Sequence, residues 1–145
     1  MALAHHTLVA WQRADDLFVK LHHLSLKAFP PFEKYELGGQ LRRSAFSVPV
    51  NIVEGFATTY RRRRLNFLNV AQSSLAEVGY CVHVARRLEY IDEKTARDLD
   101  LEIRQTSAPL SGLIASEQLK FKAETAGLIV LALLLASQWL YHLTS

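Results

Sequence analysis

Four arginines stand in a row at positions 61–64, and two more at 42 and 43. A guanidinium is permanently charged and presents its N–H donors in a planar fork, which suits phosphate and carboxylate. Between residues 41 and 64 six arginines face one acid, Glu54, although the whole chain carries a net charge of only +3. A localised patch of this kind is an electrostatic footprint for a polyanion or an anionic surface. The plainer alternative is a solvated helix end. Arg61, Arg62, Arg63 and Arg64 are therefore the first binding candidates. Arg42 and Arg43 are a weaker second pair, because adjacent side chains point apart and one of them has Glu36 or Glu54 as a prospective partner.

The arginine run has a further physical implication. Positive charge in the first turn of a helix opposes the macrodipole, at about 0.3–1 kcal/mol per charge. Such a cluster is easiest to keep where an anion takes up both the charge and the free N–H groups. Successive helical positions turn by about 100°, so four in a row fan around the axis and do not meet one ligand together. Around a ring of subunits they would form a basic rim suited to backbone phosphates, which need charge rather than base-specific geometry.

Catalytic signals are weak. His22 and His23 are adjacent and cannot form an i, i+4 metal pair. No HExxH, CxxC, Walker loop or GxSxG is present. The lone Cys81 has His83 two residues away, on the wrong face for a nucleophile–base pair, and reads as a core thiol. It excludes an intramolecular disulfide and suits a reducing compartment. The expectation is a protein without enzymatic activity, cofactor or metal. A second polar group is Asn51 with Glu54, one turn apart and just after Pro49, with Gln40 further back. Pro49 leaves a carbonyl unpaired, and the Asn51 amide is placed to answer it. Asn51, Glu54 and Pro49 read as a structural pin inside a helical bundle, because a buried polar network specifies one packing.

These residues need helices to hold them. With 145 residues, half of them hydrophobic, six Gly and four Pro, the chain has enough apolar surface for one core and no alternating strand pattern. Apolar residues recur at helical spacing over 7–28, with Thr7 as prospective cap, and Pro30 and Pro31 end that run. A second helix is expected over 33–55, bent at Pro49 and stopped at Gly55. A third runs from just after Thr58 or Thr59 to about Glu89, and has two apolar stripes. One is Leu65, Leu68, Ala71, Leu75, Val78, Val82, Ala85 and Leu88. The other is Phe67, Val70, Ser74, Cys81 and Val84, a candidate subunit interface. A fourth begins at Asp92 as cap, with Pro109 inside it. Short connections imply an all-α fold, an antiparallel up-down-up-down four-helix bundle over 1–122.

The tail, 123–145, reads as an extra apolar C-terminal helix. From 126 to 143, 14 of 18 residues are apolar, and no Asp, Glu, Lys or Arg follows Glu124. As a helix it would span roughly 27 Å, near the hydrocarbon thickness of a bilayer. Lys120 and Lys122 precede it and Trp139 and Tyr141 sit near its far end, as at a membrane boundary. Three readings stay open: a membrane anchor over 126–143, a buried or oligomer-seam helix, or a non-native end. No N-terminal signal peptide is expected.

The chain also resembles a known family. The resemblance rests on Trp11, Ala14 and Leu17; on Phe29, Pro30 and, one residue late, Glu33; and on Gln40, Leu41, Arg42, Arg43 and Ser44. It continues through Ser47, Val48 and Pro49; Asn51, Ile52, Val53, Glu54 and Gly55; and Phe67, Leu68, Ala71, Ser74, Leu75 and Glu77. In this order they are similar to the four helix bundle proteins first noted in intervening sequences of large-subunit ribosomal RNA genes. They are similar also to the accessory variability protein of diversity-generating retroelements. The match covers about residues 8–116. The resemblance implies an antiparallel four-helix bundle and a homopentameric barrel. In the retroelement members it implies binding to nucleic acid and to a reverse transcriptase. Two departures stand out: the arginine run is denser than the family's scattered basic residues, and the tail has no counterpart.

Two functional expectations follow. The first is an oligomeric module, pentameric by resemblance, that binds RNA or DNA backbone through Arg61, Arg62, Arg63, Arg64, Arg42 and Arg43. Its place would be cytoplasmic, or tail-anchored to the cytoplasmic membrane. The second is a structural or membrane-tethered scaffold with no nucleic-acid role.

Overall fold

A computed structural model describes the backbone of residues 4–144 and the side chains of residues 5–139. Four helices account for most of it: α1 (Val9–Ala28), α2 (Leu37–Ala57), α3 (Arg61–Arg87) and α4 (Glu93–Thr144). Short 3-10 turns, Ala4–Thr7 and Pro31–Lys34, precede α1 and α2. Among the described residues there is no strand.

Each helix packs on its sequence neighbours, and α4 returns to α1, so the four enclose one core, with α1 diagonal to α3 and α2 diagonal to α4. Cross-helix bonds run in opposite senses along each pair. Between α2 and α3, Gln40 meets Glu77, Ser47 meets Ser74 and Gly55 meets Arg64. Between α3 and α4, Arg61 meets Glu117, Gln72 meets Ser107 and Arg86 meets Glu93. The centre is filled by Leu21, Leu41, Ile52, Leu68, Val78 and Leu99, all essentially inaccessible. Fully burying each large aliphatic chain stabilises by about 1.5–3 kcal/mol.

Most expected stripes are the buried ones, but several boundaries differ. Leu8, not Thr7, is the residue before α1 and makes no side-chain cap. Gly55 does not stop α2, which continues to Ala57. A Cβ at Gly55 would sit 3.4 Å from the Arg64 carbonyl oxygen and 3.4 Å from the Phe67 Cβ, so the glycine permits close crossing of α2 and α3. The Asp92 cap is present, its carboxylate accepting from the Thr95 N–H at 2.7 Å. The second α3 stripe is largely used inside the chain: Ser74 and Cys81 are buried, Phe67 and Val84 half-buried, and Val70 alone is exposed. The surface it leaves open is that of Val70 and parts of Phe67 and Val84.

The tail is not a separate helix. No break occurs near Lys122, and α4 runs through Pro109 and past the bundle. Residues 115–126 carry no proline or turn-forming pair that would end a helix. Beyond Phe121 every described side chain is exposed. Among the described residues no helix is long and apolar enough to cross a membrane. The anchor expected over 126–143 extends into residues 140–143, whose side chains lie outside the described residues.

Candidate functional site

The arginine run opens α3, and helical geometry splits it into two pairs. Arg61 and Arg64, one turn apart, share a face and turn inward. Both meet Glu117 of α4, whose side chain is only 3% exposed. Arg61 Nη1 donates at 2.5 Å, Arg64 Nη1 at 3.2 Å and Lys120 Nζ at 3.2 Å. Arg61 Nε also reaches Glu124 at 2.8 Å. Burial alone would raise the Glu117 pKa. Hydrogen bonds from Lys120 and Arg61 and the charges of both arginines outweigh it, and hold the carboxyl below its ordinary range.

Arg64 also closes the end of the preceding helix. Its Nε donates to the Gly55 carbonyl at 3.1 Å, its Nη2 donates to the Thr58 carbonyl at 3.1 Å, and its guanidinium lies 4.7 Å from the Phe56 ring centroid. The start of α3 is thus beside the C-terminus of α2, where positive charge is favourable. For Arg61 and Arg64 the expected clash with the α3 dipole is answered within the chain by Glu117. Sequence reasoning missed Glu117. Its signal was present: Glu117 follows Leu110 by seven residues, an acid on the buried stripe of α4.

Arg62 and Arg63 remain. Both are exposed, and neither meets a carboxylate among the described residues. Arg63 lies 5.8 Å from the Phe67 ring centroid. With Tyr60, Phe67, Glu54 and the α2–α3 loop it lines an open concavity of about 630 Å³. Glu54 is exposed there and makes no hydrogen bond or ion pair among the described residues, so it is no part of the expected internal pin.

The pin itself is Asn51, Ser47 and Ser74. Asn51 Nδ2 donates to the Ser47 carbonyl at 2.8 Å and to Ser47 Oγ at 3.0 Å, and Ser74 Oγ donates to Ser47 Oγ at 2.9 Å. Pro49 is buried mid-helix. The carbonyl that its missing N–H leaves open is that of Ala45, so Asn51 bonds a neighbouring carbonyl rather than the expected one.

Arg42 and Arg43 are not near the α3 cluster. Arg42 sits about 20 Å along α2 from Gly55. Arg42 bonds Ser25 Oγ at 2.9 Å and the Lys34 carbonyl, and Arg43 bonds Gln40 Oε1 at 2.6 Å; neither pairs with Glu36 or Glu54. Cys81 is buried and desolvation pushes its thiol pKa up, which leaves it a poor nucleophile. His83 is exposed and stacks on Tyr80. Among the described residues no group of His, Cys, Asp and Glu could hold a metal ion.

The comparisons with known proteins agree with this architecture. A crystal structure of a protein of unknown function from the S23 ribosomal protein family of Bacteroides thetaiotaomicron matches with a TM-score of 0.69 at 21% identity, over 74% of this chain and 96% of that one. At that identity the likeness speaks for the fold alone. No curated protein matches the chain. The family model described as 23S rRNA-intervening sequence protein matches residues 6–112, well over half of the chain, and the chain belongs to that family.

Proposed function

We propose that this chain is a non-enzymatic, up-and-down four-helix bundle that assembles with copies of itself and holds nucleic-acid backbone, RNA or DNA, through exposed arginines. The observation that carries the reading is that Arg62 and Arg63 are exposed and without a carboxylate partner, beside an exposed Tyr60, whereas Arg61 and Arg64 are consumed by Glu117. The family's name points to an RNA context. A reverse transcriptase as protein partner, and a pentamer as the assembly, are supported by the resemblance only. A cytoplasmic place suits the single buried thiol. The experiment is titration of single-stranded RNA into the full chain and into its Arg62→Gln/Arg63→Gln form. Uniform weakening across sequences supports the reading, and unchanged affinity at low and moderate salt removes it.

A second reading, a scaffold without a nucleic-acid role, has its own observation. Leu128, Ile129, Val130, Leu131, Leu133 and Leu134 are each more than half exposed on the α4 extension. A helix apolar all round is normally buried, here by the extensions of other copies. Scattering masses of the full chain and of a chain ending at Lys122 separate the cases. A mass that falls on truncation supports association through the extension, and an unchanged mass argues against it.

A further inference from the structure

A second concavity, of about 340 Å³, lies between α1 and the start of α2, and the arginine-run reading makes no use of it. Three cations border it: Lys34, Arg42 and Arg43. Three exposed or half-buried carbocyclic rings border it too, Phe18, Tyr35 and Phe46, together with the half-buried imidazole of His22. No carboxylate lines it. The acid of the adjacent turn, Glu33, is committed elsewhere, accepting from Tyr90 Oη and from the Leu37 N–H, each at 2.9 Å. Glu36 is exposed and does not line the concavity.

The charged groups are held in place. Arg42 is fixed by Ser25, itself 3% exposed, and by the Lys34 carbonyl. Arg43 is fixed by Gln40. Two glycines make this convergence sterically possible. A Cβ at Gly38 would lie 2.8 Å from the Glu33 carbonyl oxygen, and one at Gly39 would lie 3.3 Å from Arg43 Nη1. The rings and one cation are already adjacent, with Lys34 Nζ 5.4 Å from the Tyr35 ring centroid. Phe18 and Phe46 meet edge to face with centroids 5.4 Å apart, and Phe46 remains 52% exposed; Tyr35 is 77% exposed.

A bare anion has no use for three rings, and an apolar ligand has no use for three cations. A phosphate joined to a planar base uses both. We propose that this concavity binds one nucleotide unit, with its base against Phe18, Tyr35 and Phe46 and its phosphate held by Lys34, Arg42 and Arg43. The unit is either a free nucleoside monophosphate or one residue of a single strand. In the strand-bound form the inference deepens the nucleic-acid reading and rests on it. In the free form it stands alone.

The test uses the full chain and calorimetric titration of AMP, UMP, inorganic phosphate and a short single-stranded oligonucleotide. Phe46→Ala and the double change Lys34→Gln/Arg43→Gln alter exposed side chains, and thermal melts confirm that both forms fold. A nucleotide or the strand is expected to bind at least about tenfold tighter than phosphate, with Phe46→Ala erasing most of that preference. Lys34→Gln/Arg43→Gln is expected to weaken both nucleotide and phosphate. Mononucleotide affinity equal to strand affinity identifies the free ligand, and strand affinity alone identifies the strand. Arg62→Gln/Arg63→Gln is expected to leave mononucleotide binding unchanged, so loss of strand binding only in that variant, with mononucleotide binding unmoved by both basin variants, condemns this site and spares the arginine reading. Equal affinity for phosphate and nucleotide, no binding of any probe, or wild-type binding by both basin variants overturns the proposal.

Discussion

At the scale of residues, four identical side chains in a row have two different environments. Arg61 and Arg64 compensate a buried carboxylate, while Arg62 and Arg63 face outward. Arg64→Gln is therefore expected to cost about 1–3 kcal/mol, because it strips hydrogen bonds from Glu117 and from the Gly55 and Thr58 carbonyls. Arg62→Gln/Arg63→Gln is expected to stay within about 0.5 kcal/mol of wild type. Chemical denaturation of both forms checks this, and equal costs would mean that the split is wrong. The sign of the pH effect follows from the lowered Glu117 pKa. Its contribution is present above the ordinary glutamate range and is lost as pH falls through the depressed folded value. The stability gap between wild type and Glu117→Gln is expected to narrow below about pH 4. Asn51→Ala is expected to cost about 1–3 kcal/mol by removing both amide hydrogen bonds to Ser47, whereas Glu54→Ala is expected to be nearly silent. Side-chain type was legible here, but partnership was not. Arg61 and Glu117 are 56 residues apart, and only the α3–α4 packing shows that they meet.

At the scale of elements, the apolar periodicity located every helix, because burial of one face drives helix formation in a bundle. The ends were less legible, since they depend on the surroundings of single residues. Gly55 has the composition of a stop signal, but its role is a close crossing with Arg64 and Phe67. At the other end of α3, Glu89 occupies the left-handed position, with φ of 60°, usually given to glycine. The Tyr90 N–H reaches back to the Ala85 carbonyl at 2.9 Å, and the Glu89 N–H to the Arg86 carbonyl at 3.0 Å. Glu89→Gly is expected to raise stability by roughly 1 kcal/mol, by relieving Cβ strain. Gly38→Ala is expected to act in the opposite direction, since the new Cβ would meet a backbone carbonyl. Thermal melts of both variants check the pair, and a stabilising Gly38→Ala would show that the 3-10 turn yields readily.

At the scale of the whole molecule, the bundle separates two basic regions. One is at the α2–α3 end, with Arg62 and Arg63, and the other is near the start of α2, with Arg42 and Arg43. Charge counting over residues 41–64 merged them, because sequence proximity hides the length of α2. The tail composition was legible as apolar, and the lack of proline or a turn-forming pair over residues 115–126 was the local signal that it continues α4. The most direct measurement is the salt dependence of single-stranded RNA affinity for wild type and for Arg62→Gln/Arg63→Gln. Each phosphate that a subunit no longer neutralises should reduce the slope by about 0.7 on logarithmic axes, in parallel with a uniform fall in affinity across sequences. The expected result is a shallower slope in a variant whose melting temperature is unchanged. A wild-type slope and affinity in that folded variant would contradict the assignment of backbone binding to the outward arginines.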